Sequence, residues 1–255
     1  MWRRHFLRQV WLAIRGARID EAEALIRKQV AGGVESVALY VERAGEVLVR
    51  GYGRAQPQSV FLLASITKPM TAAAVLILAD RGELRLTDPV SRFLPEFRGE
   101  GRERILIRHL LTHTSGLPDM LPENEALRQR HAPLRDFVQG ALRTPLLFAP
   151  GTRFHYQSMG ILLAAEIVER LVRRPFRDFL REQVFRPLGM RDTSLGLGGR
   201  RVDELVRSQV PVETAWDWNS QYWRDLGAPW GGAHAPAADV ARFLRYFLQP
   251  TDRLV

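Results

Sequence analysis

The run 70–78, Met-Thr-Ala-Ala-Ala-Val-Leu-Ile-Leu, constrains this chain more than any other stretch, because nine consecutive positions carry no charge. Pro69 stands before it and Gly82 after it, so the pattern predicts one helix over 66–81. A helix that is apolar on every side must be covered on every side. At this length it cannot span a bilayer, so the cover has to be protein. Any fold for these 255 residues therefore wraps other elements around this helix.

The rest of the pattern supplies the wrapping. Residues 18–31 read as a helix ending at Gly32-Gly33. Segments 36–42 and 46–51 alternate in polarity around Arg43-Ala44-Gly45, which is a hairpin signature. Helical periodicity returns over 134–142, 159–172, 176–184 and 236–248, while 211–231 is aromatic-rich and irregular. A helix, a hairpin and then a long helical stretch predict an α+β architecture with a helical subdomain. We read 1–255 as a single catalytic domain. Within it, 18–60 hold the first helix and hairpin, 61–200 are mainly helical, and 201–255 hold the aromatic loop and the late helix.

There are no cysteines, which excludes a disulfide framework and a thiolate nucleophile. The formal net charge is +9, and 35 of the 37 basic residues are arginine, leaving only Lys28 and Lys68. The basic clusters are no longer than pairs, such as Arg3-Arg4, Arg173-Arg174 and Arg200-Arg201, and no basic tail accompanies them. A solvated arginine-rich surface is expected, not a nucleic-acid partner. Trp2, Phe6, Leu7, Trp11 and Ile14 fall on one helical face. The pattern runs on into 22–30, so this stripe is read as packing on the domain and not lying on a membrane. No signal-peptide pattern and no membrane span are present, and a cytoplasmic location is expected.

One of the two lysines sits in Ser65-Ile66-Thr67-Lys68-Pro69. On a helix Ser65 and Lys68 share a face. Pro69 clashes with the carbonyl four residues back, that of Ser65, which puts Ser65 at the helix boundary. There the dipole and free N–H groups favour a developing oxyanion, and a buried amine one turn on can take the hydroxyl proton. A serine cap followed by a surface lysine would give the same spacing. The flanks Phe61-Leu62-Leu63 and 70–78 argue against it, because they are wholly apolar.

With these residues in view, the chain resembles the serine β-lactamase and penicillin-binding-protein superfamily, in the branch of class C-like β-lactamases and β-lactamase-like carboxylesterases. The matching runs are FLLASITKPMTAAAVLILADRGELRLTDPVSRFLPEF, ILIRHLLTHTSGLPD, FAPGTRFHYQSMGILLAAEIVERL, FRPLGMRDTSLGL and GGAHAPAADVARFL, together covering roughly residues 20 to 248. The resemblance implies an antiparallel sheet packed with helices. It assigns Ser65 as the acylated nucleophile, Lys68 as its activator and Tyr156 as the group sharing proton transfer and protonating the leaving group. The family's Tyr-x-Asn falls on Tyr156-Gln157-Ser158, so Ser158 replaces the usual Asn. A serine hydroxyl offers less to a substrate amide than an Asn does, which favours esters over β-lactams or D-amino-acid peptides. The family's third motif, a Lys/His-Thr/Ser-Gly strand, has no match after the late helix. The sheet is accordingly expected to be incomplete here, with an open edge that invites pairing into an oligomer. His234, which precedes the late helix, is read as lying off any strand and as a substrate-side residue.

Two rival constellations weigh less. His109 and His113 have metal-ligand spacing, but residue 110 is Leu where a zinc protease needs Glu. Trp216, Trp218, Tyr222, Trp223 and Trp230 are core or the wall of an acyl pocket, with Trp218 and Trp223 the better wall candidates. The resulting expectation is a serine hydrolase acting on small-molecule esters, less readily on amides, with no metal and no cofactor. The alternative is a non-catalytic or very weak homologue that binds a ligand or partner chain. A nucleic-acid or anionic-surface binder rests on charge alone.

Overall fold

The computed structural model of the protein describes residues 19–43 and 45–249. The apolar stripe of Trp2, Phe6, Leu7, Trp11 and Ile14 lies outside the described residues. The described residues divide into two compact units, one holding 19–43, 45–59 and 236–238 and the other 60–235 and 239–249.

The first unit opens with α1, Ile19–Ala31. Asp20 and Glu21 lie in its first turn and Lys28 in its last, each of the sign the helix dipole favours. Its buried stripe is Ala22 and Ile26. The hairpin follows as β1, Ser36–Arg43, and β2, Glu46–Gly53, antiparallel with Ser36 opposite Gly53 and Arg43 opposite Glu46. Gly45 takes the left-handed turn conformation at φ +87°. Tyr52 is buried against this layer and donates its hydroxyl to Glu23 Oε1 at 2.8 Å. Burial, and then the neighbouring Glu23 carboxylate, push the phenol up to about 12. Among the described residues the hairpin has two strands.

The second unit is built around α2, Thr67–Asp80, the helix predicted from the apolar run. Met70, Ala74, Val75 and Leu78 are fully covered. The cover comes chiefly from α6, Met159–Val172, and α7, Phe176–Leu180, which continues into a wider π-helical turn over Arg181–Phe185. Behind α6 lie α3, Ile107–Leu111, and α5, Leu134–Arg143, with the short α4, Asn124–Gln129, beside α5. Phe97, Phe137, Phe179 and Phe185 fill the spaces between these helices. The irregular aromatic stretch contains a helix that its composition hid, α8, Gln221–Leu226, capped by the Ser220 hydroxyl accepting from Trp223 N–H. The last described helix, α9, is Ala237–Leu248.

A small ribbon was not anticipated from the sequence. It pairs β3, Phe61–Leu62, with β5, Ala233–Ala235, and β5 with β4, Ser194–Leu195, all antiparallel. Two- and three-residue strands leave no alternation to read, so periodicity could not have found them. His234, expected off any strand, sits on β5 opposite both Leu62 and Ser194.

No helix among the described residues is long and apolar enough to cross a membrane.

Candidate active site

Ser65 lies in a single 3₁₀ turn, Ala64–Ile66, that runs directly into α2. In that first turn its backbone N–H has no preceding intrahelical carbonyl to bond. Ala64, just before it, is held at φ +47°, a left-handed conformation that costs a residue with a side chain about 1–2 kcal/mol. Strain of this kind persists where the surroundings over-determine the backbone. Here they do: Leu63 N–H donates to Ala233 O at 2.8 Å, and Ala233 N–H donates to Thr67 Oγ1 at 3.1 Å.

Two side chains converge on the Ser65 hydroxyl oxygen. Lys68 Nζ donates to Ser65 Oγ at 3.1 Å, and the Tyr156 hydroxyl donates to the same oxygen at 2.7 Å. Lys68 is only 6% exposed, and its Nζ also donates to the carbonyl of Trp230 at 2.9 Å. That second bond fixes the amine's direction. Thr71, one turn further along α2, donates its hydroxyl to Pro229 O at 2.7 Å. Tyr156 is 41% exposed, so the cluster opens to solvent on the tyrosine side. Its ring lies 4.8 Å from Lys68 Nζ, and the imidazole of His113 packs against it at 4.8 Å between centroids, tilted by 30°. Burial, and then the Lys68 charge, hold the His113 imidazole below its ordinary value.

The neighbours of Tyr156 face inward. Gln157 is fully buried; its amide Nε2 donates to His109 O and Leu110 O, each at 3.1 Å, while Oε1 accepts from the Ser115 hydroxyl. The orientation is forced, since two carbonyls can only accept. Gly160 leaves room for that amide, because a Cβ there would stand 2.5 Å from Gln157 Nε2. Ser158, expected on the substrate side, is buried and donates its hydroxyl to Asp119 Oδ1 at 2.6 Å. Gln157, Asp119, Thr67 and the Trp230 carbonyl were missed by sequence reasoning. Only the buried-looking context of Gln157 could have signalled any of them.

The aromatic candidates separate. Trp218 is 49% exposed, and its carbonyl accepts from Arg224 Nε. Trp223 is 5% exposed, with the Arg128 guanidinium 4.0 Å from its ring and Trp230 edge-on at 6.2 Å. The Trp223 indole, expected on a pocket wall, is thus buried with those two neighbours packed on its ring. His109 and His113 do not act as a metal pair: Nδ1 of each accepts a backbone N–H, from Leu106 and Gln157 respectively.

His234 is likewise buried rather than open to a substrate. Its Nδ1 lies 3.1 Å from Gly196 O, which makes Nδ1 the protonated nitrogen, and Nε2 is buried without a partner. Burial, and then Arg224, lower this imidazole from 6.5 to about 4. Between those values the unfolded chain binds a proton that the folded chain refuses, so stability is full above 6.5 and falls as pH drops toward about 4. The urea midpoint of the protein is expected to fall through this window, and that of His234→Asn to fall less. Parallel profiles for the two proteins would contradict this account.

The family profile described as "Beta-lactamase" matches residues 22–254, and the chain belongs to that family. Among curated relatives, the chain is 38% identical to Esterase EstB of Burkholderia gladioli over 198 residues, which is 69% of this chain and 50% of that protein. It is 37% identical to Penicillin-binding protein 4* of Bacillus subtilis (strain 168) over 159 residues, 60% of this chain and 35% of that one. The chain therefore spans half or less of the length of these relatives. Of solved structures, the D-amino acid amidase from Ochrobactrum anthropi SV3 superposes with a TM-score of 0.76 at 24% identity, covering 91% of this chain and 72% of that one. The octameric penicillin-binding protein homologue from Pyrococcus abyssi gives 0.78 at 22%, covering 93% and 58%. At these identities the structures establish the fold, an α+β architecture of the serine β-lactamase type.

Proposed function

We propose that this chain carries the acyl-transfer centre of a serine hydrolase acting on carboxylic esters. The observation that carries the proposal is the convergence of Lys68 Nζ and the Tyr156 hydroxyl on Ser65 Oγ, at 3.1 and 2.7 Å. With its amine deprotonated, Lys68 accepts the hydroxyl proton through the contact it already makes, and Ser65 Oγ bonds to the ester carbonyl carbon. The oxyanion forms near the free Ser65 N–H at the mouth of α2. The carbon–oxygen bond to the alcohol then breaks as Tyr156 gives its proton to the leaving oxygen, and the tyrosine is reprotonated from Lys68. Water hydrolyses the Ser65 ester by the reverse sequence, releasing the acid. No cofactor enters these steps.

The ester preference rests on two supports. The Ser158 hydroxyl is committed to Asp119, so it is not a free donor toward a substrate amide. Of the two curated relatives described above, the one of higher identity is named an esterase. A fluorophosphonate probe is expected to label the protein, with the added mass on the peptide containing Ser65. Equal labelling of Ser65→Ala and the parent would overturn the proposal.

A further inference from the structure

Residues 154–157, the segment that carries Tyr156, all meet one residue, His113. The Phe154 ring stands edge-on to the imidazole, with centroids 5.8 Å apart. The His155 N–H donates to the His113 carbonyl at 2.9 Å. The Tyr156 ring packs on the imidazole at 4.8 Å between centroids. The Gln157 N–H donates to its Nδ1 at 3.2 Å. His113 thus holds Tyr156 by its ring and by the backbone on either side of it, yet the steps proposed above give it no part. The backbone at His113 is itself unusual. Helix α3 ends at Leu111, and His113 follows it in the left-handed conformation at φ +61°. Glycine or asparagine ordinarily takes such a place, because a Cβ is strained there. A glycine would turn the chain more easily, but it would supply neither the ring nor the acceptor. Because Nδ1 accepts, the imidazole is neutral with its proton on Nε2.

Tyr156 needs such a hold. It is 41% exposed, with its hydroxyl 2.7 Å from Ser65 Oγ. A phenol open to solvent has other rotamers within reach, and they carry its hydroxyl away from the serine. A misplacement of about 1 Å at a reacting group costs up to about a hundredfold in rate. The proton transfer assigned to Tyr156 is therefore only as good as the placement of its ring.

We infer that His113 is a positioning residue: its ring and its Nδ1 hold the Tyr156 phenol where it can pass a proton to and from the reacting oxygens. The inference rests on the hydrolase reading above. The test is a cycle of variants in the full chain, read by turnover of p-nitrophenyl acetate. Glycine adopts φ +61° freely, so His113→Gly keeps the turn and the His155 bond while deleting the imidazole. It should lower kcat about thirtyfold and leave KM within about threefold. In a Tyr156→Phe background the same change should cost less than about threefold, because the hydroxyl it positions is gone. A defect of the fold alone would lower both backgrounds equally. His113→Asn suits the same backbone, and its side-chain carbonyl can accept from the Gln157 N–H, so it should return about tenfold of the lost kcat. Melting temperatures verify that each variant is folded in the assay. Should His113→Gly melt below the assay temperature, His113→Asn takes its place in both backgrounds, with a smaller loss that should likewise vanish in Tyr156→Phe. A parent without turnover that depends on Ser65 would remove the hydrolase reading and this inference with it. With an active parent, the inference alone falls if His113→Gly keeps kcat within about twofold, if its loss is as large without the Tyr156 hydroxyl, or if His113→Asn does no better than His113→Gly.

Discussion

Lys68→Ala is expected to lower kcat/KM for a chromogenic p-nitrophenyl ester on the order of a thousandfold, the contribution typical of a positioned general base. The effect should appear in kcat, because Lys68 sits beneath the serine, with its Nζ committed to Ser65 Oγ and the Trp230 carbonyl. Lys68→Arg should fail as completely. Its guanidinium keeps the charge but does not give up a proton near neutral pH, and its planar fork cannot reproduce the two bonds a single Nζ makes. Tyr156→Phe removes one of the two donors on Ser65 Oγ while keeping the ring against His113, so a smaller loss is expected, about a hundredfold. Steady-state kinetics on the three variants, with circular dichroism to confirm folding, make the test. A Lys68→Ala enzyme within tenfold of the parent would remove the lysine from the chemistry.

The second large effect is on stability. Gln157→Leu keeps a buried side chain of similar volume but strips the bonds to Ser115, His109 O and Leu110 O. His109 O keeps the Thr114 N–H, so the Ser115 hydroxyl and Leu110 O are the groups left short; at about 1–3 kcal/mol each, a loss of about 2 kcal/mol or more is expected from urea unfolding. Gln157→Glu should be worse near neutral pH, because a carboxylate oxygen would face the two backbone carbonyls. Because the Gln157 side chain bonds to Ser115, His109 O and Leu110 O and not to Ser65, Lys68 or Tyr156, activity should decline with the folded fraction and not ahead of it. A loss below about 1 kcal/mol for Gln157→Leu would mean that these bonds do not hold the segment.

Much of this site was readable in advance because it is written locally. Ser65 and Lys68 stand one helical turn apart, Pro69 fixes where the helix can begin, and the apolar run behind them fixes which way it is buried. The helices over Met159–Val172 and Ala237–Leu248 were equally plain from their periodicity. What escaped is the non-local part. Short strands such as Ser194–Leu195 and Ala233–Ala235 carry no period, so His234 could not be placed on one. The roles of Ser158 and Trp223 depend on Asp119 and Arg128, which lie far away in sequence. A residue's chemistry can be named from its neighbours in the chain; which way it faces is decided by neighbours in space.

The bonds that pin the head of α2 have a consequence in time. Lys68 to Trp230, Thr71 to Pro229 and Ala233 to Thr67 join residues 162, 158 and 166 positions apart. Contacts of such range close a large loop before they return any free energy, and they tend to form late in folding. On the ribosome, Ser65 and Lys68 emerge long before the segment that orients the lysine has been made. The nascent chain thus carries Ser65 and Lys68 without the bonds that orient them until nearly all of the described residues have been synthesised.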